Sequence, residues 1–233
     1  MENREKELLR NYGEVKSEID RAAEKAGRKP DEIQLVAVSK FHPASDVEIL
    51  FKAGHRVFGE SYVQEAVAKS EELSALDIEW HFIGGLQSKK AKYVAGNFSL
   101  VHSVDSSKLA GLLNKKAVAL GVKQNILLQV NSAGEEQKSG VSEKMLQNLA
   151  EEVMEFEGLE LQGLMCLPPF FGDSESSRPY FRRLRELKEK LEKDLGISLP
   201  HLSMGMTDDY VSAIEEGATM VRIGTRIFGK RPV

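Results

Sequence analysis

The sequence has little cysteine, no long apolar run and no excess of positive charge. Its 233 residues include one cysteine, Cys166, so no intrachain disulfide can form and a reducing compartment is expected. We interpret Cys166 as a small buried apolar side chain. The net charge of −4 and the pI near 5.8 argue against a general nucleic-acid binder, because that function needs excess cationic charge to neutralise phosphates.

Membrane insertion and secretion are not expected either. No apolar run approaches the roughly 20 residues that a membrane-spanning helix needs. The N-terminal segment MENREKELLR is charged where a signal peptide has an apolar core. The sequence therefore predicts a cytoplasmic protein without membrane contact.

Metal-binding and nucleotide-binding motifs are also missing. The five histidines have no His-x-x-x-His spacing and only one cysteine accompanies them, so we predict no zinc site. No Gly-x-Gly-x-x-Gly follows the first predicted strand, and GGLQSKKAK lacks the Walker spacing. We interpret Lys89, Lys90 and Lys92 in that segment as a solvated helix face. His81 and His201 are expected to satisfy local hydrogen bonds.

The chain alternates between short apolar segments and amphipathic segments. An N-terminal helix is predicted from apolar residues at spacings of three and four between Leu8 and Ala26, and Gly27 and Pro30 end it. Eight strands are predicted after it, at 33–39, 56–61, 79–85, 100–105, 125–134, 159–169, 199–207 and 220–229. Each of the first seven is followed by a helical segment, and no Pro/Gly/Ser-rich linker divides the chain.

The predicted strands are apolar along most of their length, which is typical of parallel strands that are buried on both faces. Eight such βα units in a chain of this size predict a single (β/α)8 TIM-type barrel with an extra N-terminal helix, spanning residues 1–233 as one domain. An open doubly wound sheet is the alternative. In a barrel the chemistry lies at the carboxyl ends of the strands, so the strand-end residues form the candidate site.

The first strand, in the segment IQLVAVSK, ends on Lys40. At a barrel mouth, partial loss of water would lower the pKa of this amine. A neutral lysine amine attacks aldehydes and forms a Schiff base. The alternative is a lysine that caps the strand and extends to water. Position alone leaves both interpretations open.

Strands seven and eight end in motifs that suit an anion. In LSMGM, Ser203 and the adjacent amides can bind an anion, and Gly205 allows close approach of the backbone to a ligand; a plain strand–turn–helix junction is the alternative. In VRIGT, Gly224 and Thr225 lie where barrels often bind phosphate. Arg222 in the same apolar run needs an acceptor, either a ligand or a core carboxylate. These motifs would place a phosphate cradle and a buried arginine beside an amine nucleophile.

Six motifs in this order resemble those of the pyridoxal-phosphate homeostasis proteins: VAVSK, FGESYVQE, WHFIGGLQ, GLMCLPP, LSMGMTDD and VRIGTRIFG. The resemblance covers nearly the whole chain. It implies a barrel like the N-terminal domain of alanine racemases, lacking the C-terminal β-domain of those enzymes. It also implies pyridoxal 5′-phosphate (PLP) as cofactor, carried by Lys40 as an internal aldimine.

The resemblance assigns roles to other strand-end residues. Ser203, Gly224 and Thr225 would hold the phosphate, and Met165 would pack near the cofactor ring. Arg222 would face the pyridine nitrogen. A guanidinium that is always protonated gives no proton to that nitrogen, so the cofactor would be a poorer electron sink.

Five further positions belong to the predicted site or its surroundings. Met204 and Gly205 belong to the implied cofactor-binding set. Ser61 also belongs to this set, with a shorter hydroxyl side chain where many relatives have asparagine. Lys89 also replaces an asparagine and would add charge near the mouth. Lys138, after strand five, is either a second lysine that binds PLP transiently or a surface lysine.

Three functions are consistent with these residues. The chain is a PLP-binding protein that buffers the cofactor or delivers it to PLP-dependent apo-enzymes, a PLP-dependent amino-acid racemase, or a PLP-free Schiff-base aldolase. Racemisation needs an acid or base on each face of the α-carbon, and alanine racemases take a catalytic tyrosine from their C-terminal domain. We cannot place a tyrosine of this sequence opposite Lys40. We therefore predict a PLP homeostasis protein without strong catalytic activity, as a monomer or weak dimer.

Overall fold

The computed structural model describes residues 2–132, 139–169, 171 and 173–230. Eight parallel strands form a closed barrel in chain order, and the last strand pairs with the first. The strands are β1 Gln34–Val38, β2 Val57–Glu60, β3 Glu79–Phe82, β4 Leu100–Val104, β5 Gln124–Val130, β6 Leu159–Cys166, β7 His201–Ser203 and β8 Met220–Ile223. The predicted barrel is confirmed, and the open doubly wound sheet is wrong.

Helices surround the barrel in the order that the sequence predicts. The α-helices are α1 Glu2–Lys25, α2 Ala44–Lys52, α3 Val63–Glu72, α4 Ser107–Leu120, α5 Glu143–Met154, α6 Arg178–Leu195, α7 Tyr210–Glu215 and α8 Thr225–Phe228. Two 3-10 helices, Pro30–Glu32 and Ser88–Tyr93, complete the set. No helix in the described part of the chain is long and apolar enough to cross a membrane.

Three elements differ from the prediction. The connection after β3 is the six-residue 3-10 helix Ser88–Tyr93 and not an α-helix. A short helix, α8, follows β8, where we predicted only the end of the chain. The strands are shorter than predicted, because the predicted ranges included residues of the adjoining loops: β7, predicted at 199–207, is His201–Ser203.

Side chains on the strands form an inner and an outer apolar layer. The inner cluster fills the barrel and consists of Val36, Val57, Leu100, Leu127, Met165 and Met220. Their neighbours in the strands, such as Leu35 and Ala37, belong to the larger cluster that contacts the helices. This alternation is what a closed barrel requires, and it tells which strand residues face the interior.

The N-terminal helix α1 covers the barrel where the last helix is short. It buries one face, formed by Leu8, Val15, Ile19, Ala22 and Ala23, and it contacts α2, α7 and α8. Because α8 has only four residues, α1 shields the part of the sheet that a full eighth helix would cover. The extra N-terminal helix that the sequence predicts is confirmed.

Candidate functional site

Lys40 is the second residue of a four-residue turn that follows β1. The backbone N–H of His42 closes this turn by donating to the carbonyl oxygen of Ser39 over 3.0 Å. Phe41, the third residue, has a φ of 68°, the left-handed conformation that a type II turn requires at this position. That conformation costs a residue with a side chain roughly 1–2 kcal/mol. Contacts around the turn therefore have to hold it.

Two side chains of α3 hold the backbone on either side of Lys40. The ammonium group of Lys69 donates to the carbonyl oxygen of Ser39 over 2.8 Å. The Glu65 carboxylate accepts a hydrogen bond from the backbone N–H of Phe41. Lys69 and Glu65 are themselves ion-paired at 3.1 Å. The turn that carries Lys40 is thus attached to one helix at both flanking residues.

Glu60, the last residue of β2, supports this attachment from the core. Its Oε1 atom accepts hydrogen bonds from Lys69 Nζ at 2.6 Å and from Ser39 Oγ at 2.7 Å. The side chain is fully buried, and burial raises the pKa of its carboxyl group. Among the described residues, its Oε2 atom has no hydrogen-bond partner. Lys69 is therefore the positive charge that compensates this buried group.

Lys40 borders a cavity of about 370 Å³ at the carboxyl ends of the first three strands, within the size range of small-molecule sites. The rest of its wall is formed by Ser61, Tyr62, Val63, Ile83, Gly84, Gly85, Gln87, Lys90 and Leu167. A second cavity of about 250 Å³ shares Gly85 and Leu167 and reaches the ends of β5 and β6. The predicted mouth thus contains space beside the predicted nucleophile.

Two adjacent glycines in the cavity wall differ in what a side chain would meet. A Cβ atom at Gly84 would overlap the carbonyl oxygen of Ser61 and lie 2.6 Å from the Cα atom of Ser61. A Cβ atom at Gly85 would meet no atom within 4 Å. Gly84 therefore allows the backbone at Ser61 to take its place in the wall, whereas a side chain at Gly85 has room.

Arg222 lies on β8 inside the barrel and is 4% exposed. Its Nη1 donates to Ser203 Oγ at 2.6 Å and its Nη2 donates to the carbonyl oxygen of Cys166 at 2.9 Å. No carboxylate oxygen of the described residues lies within 4.0 Å of the guanidinium, so the alternative of an ion pair with a core carboxylate is wrong for this part of the chain. Burial lowers the pKa of Arg222, and the charge of Asp209 acts in the opposite direction without forming an ion pair.

Ser203, at the end of β7, is fully buried. Besides accepting the hydrogen bond from Arg222, its hydroxyl lies 2.8 Å from Nδ1 of His102, an inward-facing residue of β4. The hydroxyl is thus engaged with two side chains inside the barrel. Holding a phosphate, as predicted, would require the single proton of this hydroxyl, which His102 can also accept.

Gly224 and Thr225 lie beside the end of β1. In the β1–β8 pairing, Ala37 is opposite Ile223, and a Cβ atom at Gly224 would lie 3.1 Å from the carbonyl oxygen of Val38. Thr225 is exposed and begins α8, and its amide and that of Arg226 precede the first hydrogen bonds of the helix, which Ile227 and Phe228 donate to Gly224. Closure of the barrel therefore brings these two residues to the strand end that precedes Lys40.

The other predicted cofactor residues take different positions. Met165 is in the inner cluster of the barrel, opposite Ser203 in the β6–β7 pairing. Met204 belongs to the outer cluster and its amide donates to the carbonyl oxygen of Met220, so its side chain is not brought to the mouth. Gly205 has a φ of 91°, and a Cβ atom there would lie 2.6 Å from the Cβ of Ala213 in α7. This glycine serves the packing of α7 against the strand end.

The positions of the lysines near the mouth differ from the prediction. Lys90 lies on the 3-10 helix and makes an exposed hydrogen bond to the side chain of Gln64 at 3.0 Å, and it also lines the cavity beside Lys40, which we did not predict. Lys89 is exposed and is not part of the cavity wall. The predicted second PLP contact, Lys138, lies outside the described residues.

Several residues of the site were not predicted from the sequence. Glu65 and Lys69 are four residues apart on α3 and are typical of an exposed helical ion pair, yet Lys69 is 5% exposed. Tyr62 lines the cavity, although we could not place it from the sequence. His102 was not chosen as a candidate site residue. The alternation of the strand could have indicated it, because it follows Val101, which faces outward.

Comparison with known proteins gives the same family throughout. The family model of the alanine racemase N-terminal domain matches residues 11–232. The chain is 45% identical over 217 residues to the pyridoxal phosphate homeostasis protein of Aquifex aeolicus, covering 93% of this chain and 95% of that protein. It is 42% identical over 233 residues to the protein of the same name in Escherichia coli K12, covering 97% of both.

Solved structures agree with the fold. An unknown protein from Bifidobacterium adolescentis superposes with a TM-score of 0.91 at 34% identity, covering 98% of this chain and 97% of that one. PipY of Synechococcus elongatus, with PLP bound, superposes with a TM-score of 0.81 at 36% identity, covering 91% of this chain and 100% of PipY. An alanine racemase of Clostridium difficile has a TM-score of 0.75 at 15% identity over 60% of its length, and this likeness concerns the fold alone.

Proposed function

Since the chain belongs to the pyridoxal phosphate homeostasis protein family, we propose that it binds PLP at the barrel mouth through a Schiff base on Lys40. The uncharged amine of Lys40 attacks the aldehyde carbon of PLP, water leaves, and a C=N bond forms. The relative PipY is known with PLP bound, which supports the choice of cofactor. The protein's own contribution is to orient the amine and to hold the phosphate and the ring.

The observation that carries this proposal is the buried charge of Arg222. A guanidinium that is 4% exposed and bonded only to a hydroxyl and a carbonyl among the described residues is costly unless an acceptor or anion joins it. PLP offers a pyridine nitrogen and a phosphate. Arg222 is opposite Val36 in the β1–β8 pairing, on the strand that leads to Lys40, so one ligand can reach both residues.

The phosphate is proposed to bind at the start of α8. Gly224 has no side chain to fill the space beside Val38, and the hydroxyl of Thr225 is exposed. Amides at the beginning of a helix favour an anion. Met165, in the inner cluster at the level of Ser203, would lie beneath the cofactor ring.

We propose a role in holding and releasing PLP for apo-enzymes without strong catalysis. A guanidinium facing the pyridine nitrogen leaves that nitrogen without a proton, which weakens the withdrawal of electrons that PLP enzymes use. The cavity beside Lys40 is open at the mouth and lies next to a second cavity, so the cofactor can exchange with solution.

The test is an absorbance titration of the purified protein with PLP, followed by borohydride reduction and peptide mapping. We expect a near-visible band and a reduced label on Lys40. Lys40→Ala should lose both, whereas the matched variant Lys90→Ala, in the same cavity wall, should keep both. Absence of the band in the unmodified protein, or a label on a different lysine, would contradict the proposal.

Racemisation is the second candidate, and one observation favours it. Tyr62 and Lys40 line the same cavity, so two groups able to transfer a proton border one space. Incubation of the PLP-loaded protein with L-alanine, followed by chiral analysis, distinguishes the two functions. A steady conversion that Tyr62→Phe abolishes would establish the racemase; no conversion agrees with the carrier.

A further inference from the structure

A chain of hydrogen bonds crosses the barrel interior from the mouth to the opposite end. Arg222 Nη1 lies 2.6 Å from Ser203 Oγ, and Ser203 Oγ lies 2.8 Å from His102 Nδ1. His102 Nε2 is 3.0 Å from His81 Nδ1, and His81 Nε2 is 2.9 Å from Glu79 Oε1. The first four residues are buried, whereas the side chain of Glu79 at the amino end of β3 is 43% exposed.

The two ends of this chain fix the direction of its hydrogen bonds. An arginine can only donate, so Ser203 Oγ accepts from Arg222. The bond to His81 lowers the pKa of Glu79, so its carboxylate is ionised and can only accept. His81 therefore carries its proton on Nε2 and donates to Glu79.

The protonation of His102, in the middle of the chain of hydrogen bonds, follows from its burial. His102 is fully buried, and burial is the main cause that holds its pKa well below the usual value. His102 is thus neutral and has one donor and one acceptor. If His102 donated to Ser203, its Nε2 would have to accept from Nδ1 of His81, and the fully buried His81 would then carry a proton on both nitrogens. If His81 carries only the proton that it donates to Glu79, His102 donates to His81 and accepts the proton of Ser203.

We infer that Glu79, His81 and His102 are positioning residues that fix Ser203 as a hydrogen-bond acceptor for Arg222. The only proton of the Ser203 hydroxyl is used by His102, so the oxygen presents a lone pair to the guanidinium. Together with the carbonyl oxygen of Cys166, it holds Arg222 at the height where the proposed PLP ring would meet it. Ser203 then acts on the cofactor through Arg222 and not as a phosphate donor.

The order of protons is measured directly by ¹⁵N NMR of histidine-labelled protein without PLP. We expect His102 and His81 each to have a protonated Nε2 and an unprotonated Nδ1. A His102 protonated on Nδ1, together with a His81 protonated on both nitrogens, would overturn the inference, because the Ser203 proton would then be released toward the mouth. Variants of each histidine in turn assign the signals.

The positioning role is tested by PLP titration of matched variants. His102→Leu removes the acceptor of the Ser203 proton, and we expect the affinity for PLP to fall about tenfold and the near-visible band to move. His102→Gln can both accept and donate and should restore most of the affinity. His55→Gln is the control, because His55 is a buried histidine whose hydrogen bonds are made with Tyr12 and Val57, away from the chain. An unchanged affinity and band in His102→Leu would overturn the positioning role.

A second pair of variants covers the case in which His102→Leu does not fold. At the half-exposed end, Glu79→Gln retains an acceptor for His81, whereas Glu79→Leu removes it, so only the second should shift the band. The role given to Arg222 rests on the proposed PLP site, and the two measurements distinguish the failure of the site from the failure of the positioning role. An unmodified protein without a PLP band rejects the proposed function, while the histidine spectra still decide the order of the protons.

Discussion

The ammonium nitrogen of Lys69 lies 2.8 Å from the carbonyl oxygen of Ser39, the residue directly before Lys40. The same nitrogen is 2.6 Å from the buried Glu60 carboxylate. A helix outside the barrel therefore fixes the strand end that precedes Lys40, the proposed nucleophile at the cavity. Lys40 is part of the turn, and Lys69 holds the turn in place.

Lys69→Met should destabilise the fold strongly. The substitution leaves Glu60 as a buried carboxylate without a counter-charge and removes a donor from Ser39. Removing one partner of a buried ion pair costs about 3–5 kcal/mol. Urea unfolding monitored by circular dichroism measures the change in the free energy of unfolding.

The matched control for this prediction is Lys6→Met, which breaks the exposed pair between Lys6 and Glu2 and should cost less than about 1 kcal/mol. Adding Glu60→Gln to Lys69→Met should recover part of the lost stability, because the unpaired charge is then removed. Equal losses for Lys69→Met and Lys6→Met would contradict the role given to Lys69.

The variant Phe41→Gly should be more stable than the variant Phe41→Ala. Both substitutions remove the same ring, but Phe41 has a φ of 68°, which glycine adopts freely and alanine does not. We expect Phe41→Gly to be more stable than Phe41→Ala by about 1 kcal/mol, measured by thermal unfolding. At Tyr62, where φ is −120°, the alanine variant should be more stable than the glycine variant. If alanine is the more stable substitution at both positions, the turn at Phe41 relaxes and the prediction is contradicted.

Gly84→Ala and Gly85→Ala should have unequal effects although the residues are adjacent. The first places a methyl group against the backbone of Ser61, whereas the second meets no atom within 4 Å. We expect Gly84→Ala to cost about 1–3 kcal/mol of stability and to weaken PLP binding, because the cavity wall shifts. Differential scanning calorimetry and PLP titration of both variants provide the comparison, and a neutral Gly84→Ala would be inconsistent with the close approach.

Stability should fall as the pH drops from about 6.5 to 4, with His55 as one cause. Burial lowers the pKa of His55 from 6.5 to about 4, so the unfolded chain binds a proton in this range and the folded chain does not. The stabilisation is present above 6.5 and is lost toward 4, by about 3 kcal/mol at 1.36 kcal/mol per pKa unit. Urea unfolding at several pH values should show a shallower slope for His55→Gln than for the unmodified protein.

The barrel could be predicted because each strand and helix carries its own periodicity. Parallel strand ends meet at one face, so Lys40 and Arg222 could be placed together although they are distant in sequence. It was harder to predict which residues of each strand face the barrel interior. Strands buried on both faces are apolar throughout, so nothing in the sequence showed that His81 and His102 both face the interior and touch.

The support of the site could not be predicted because it depends on packing between elements. Glu65 and Lys69 have the spacing of a surface ion pair, and only the position of α3 over the end of β2 buries Lys69 against Glu60. Lys90 was assigned to solvent because it lies in a lysine-rich segment, and the 3-10 helix turns it toward the cavity. Ser203 was correctly placed at a strand end, but its partners come from β4 and β8.

Pairing of β8 with β1 also sets when the site can exist during synthesis. A growing chain presents Lys40 to the cell long before Met220–Ile223 has been made, and in that interval the lysine has neither Arg222 beside it nor a closed barrel around it. It then behaves as any solvent-exposed lysine toward aldehydes. Binding of PLP at Lys40, as proposed, would therefore report that the last strand has docked, and a ribosome-stalled or truncated chain should lack the near-visible band expected of the finished protein.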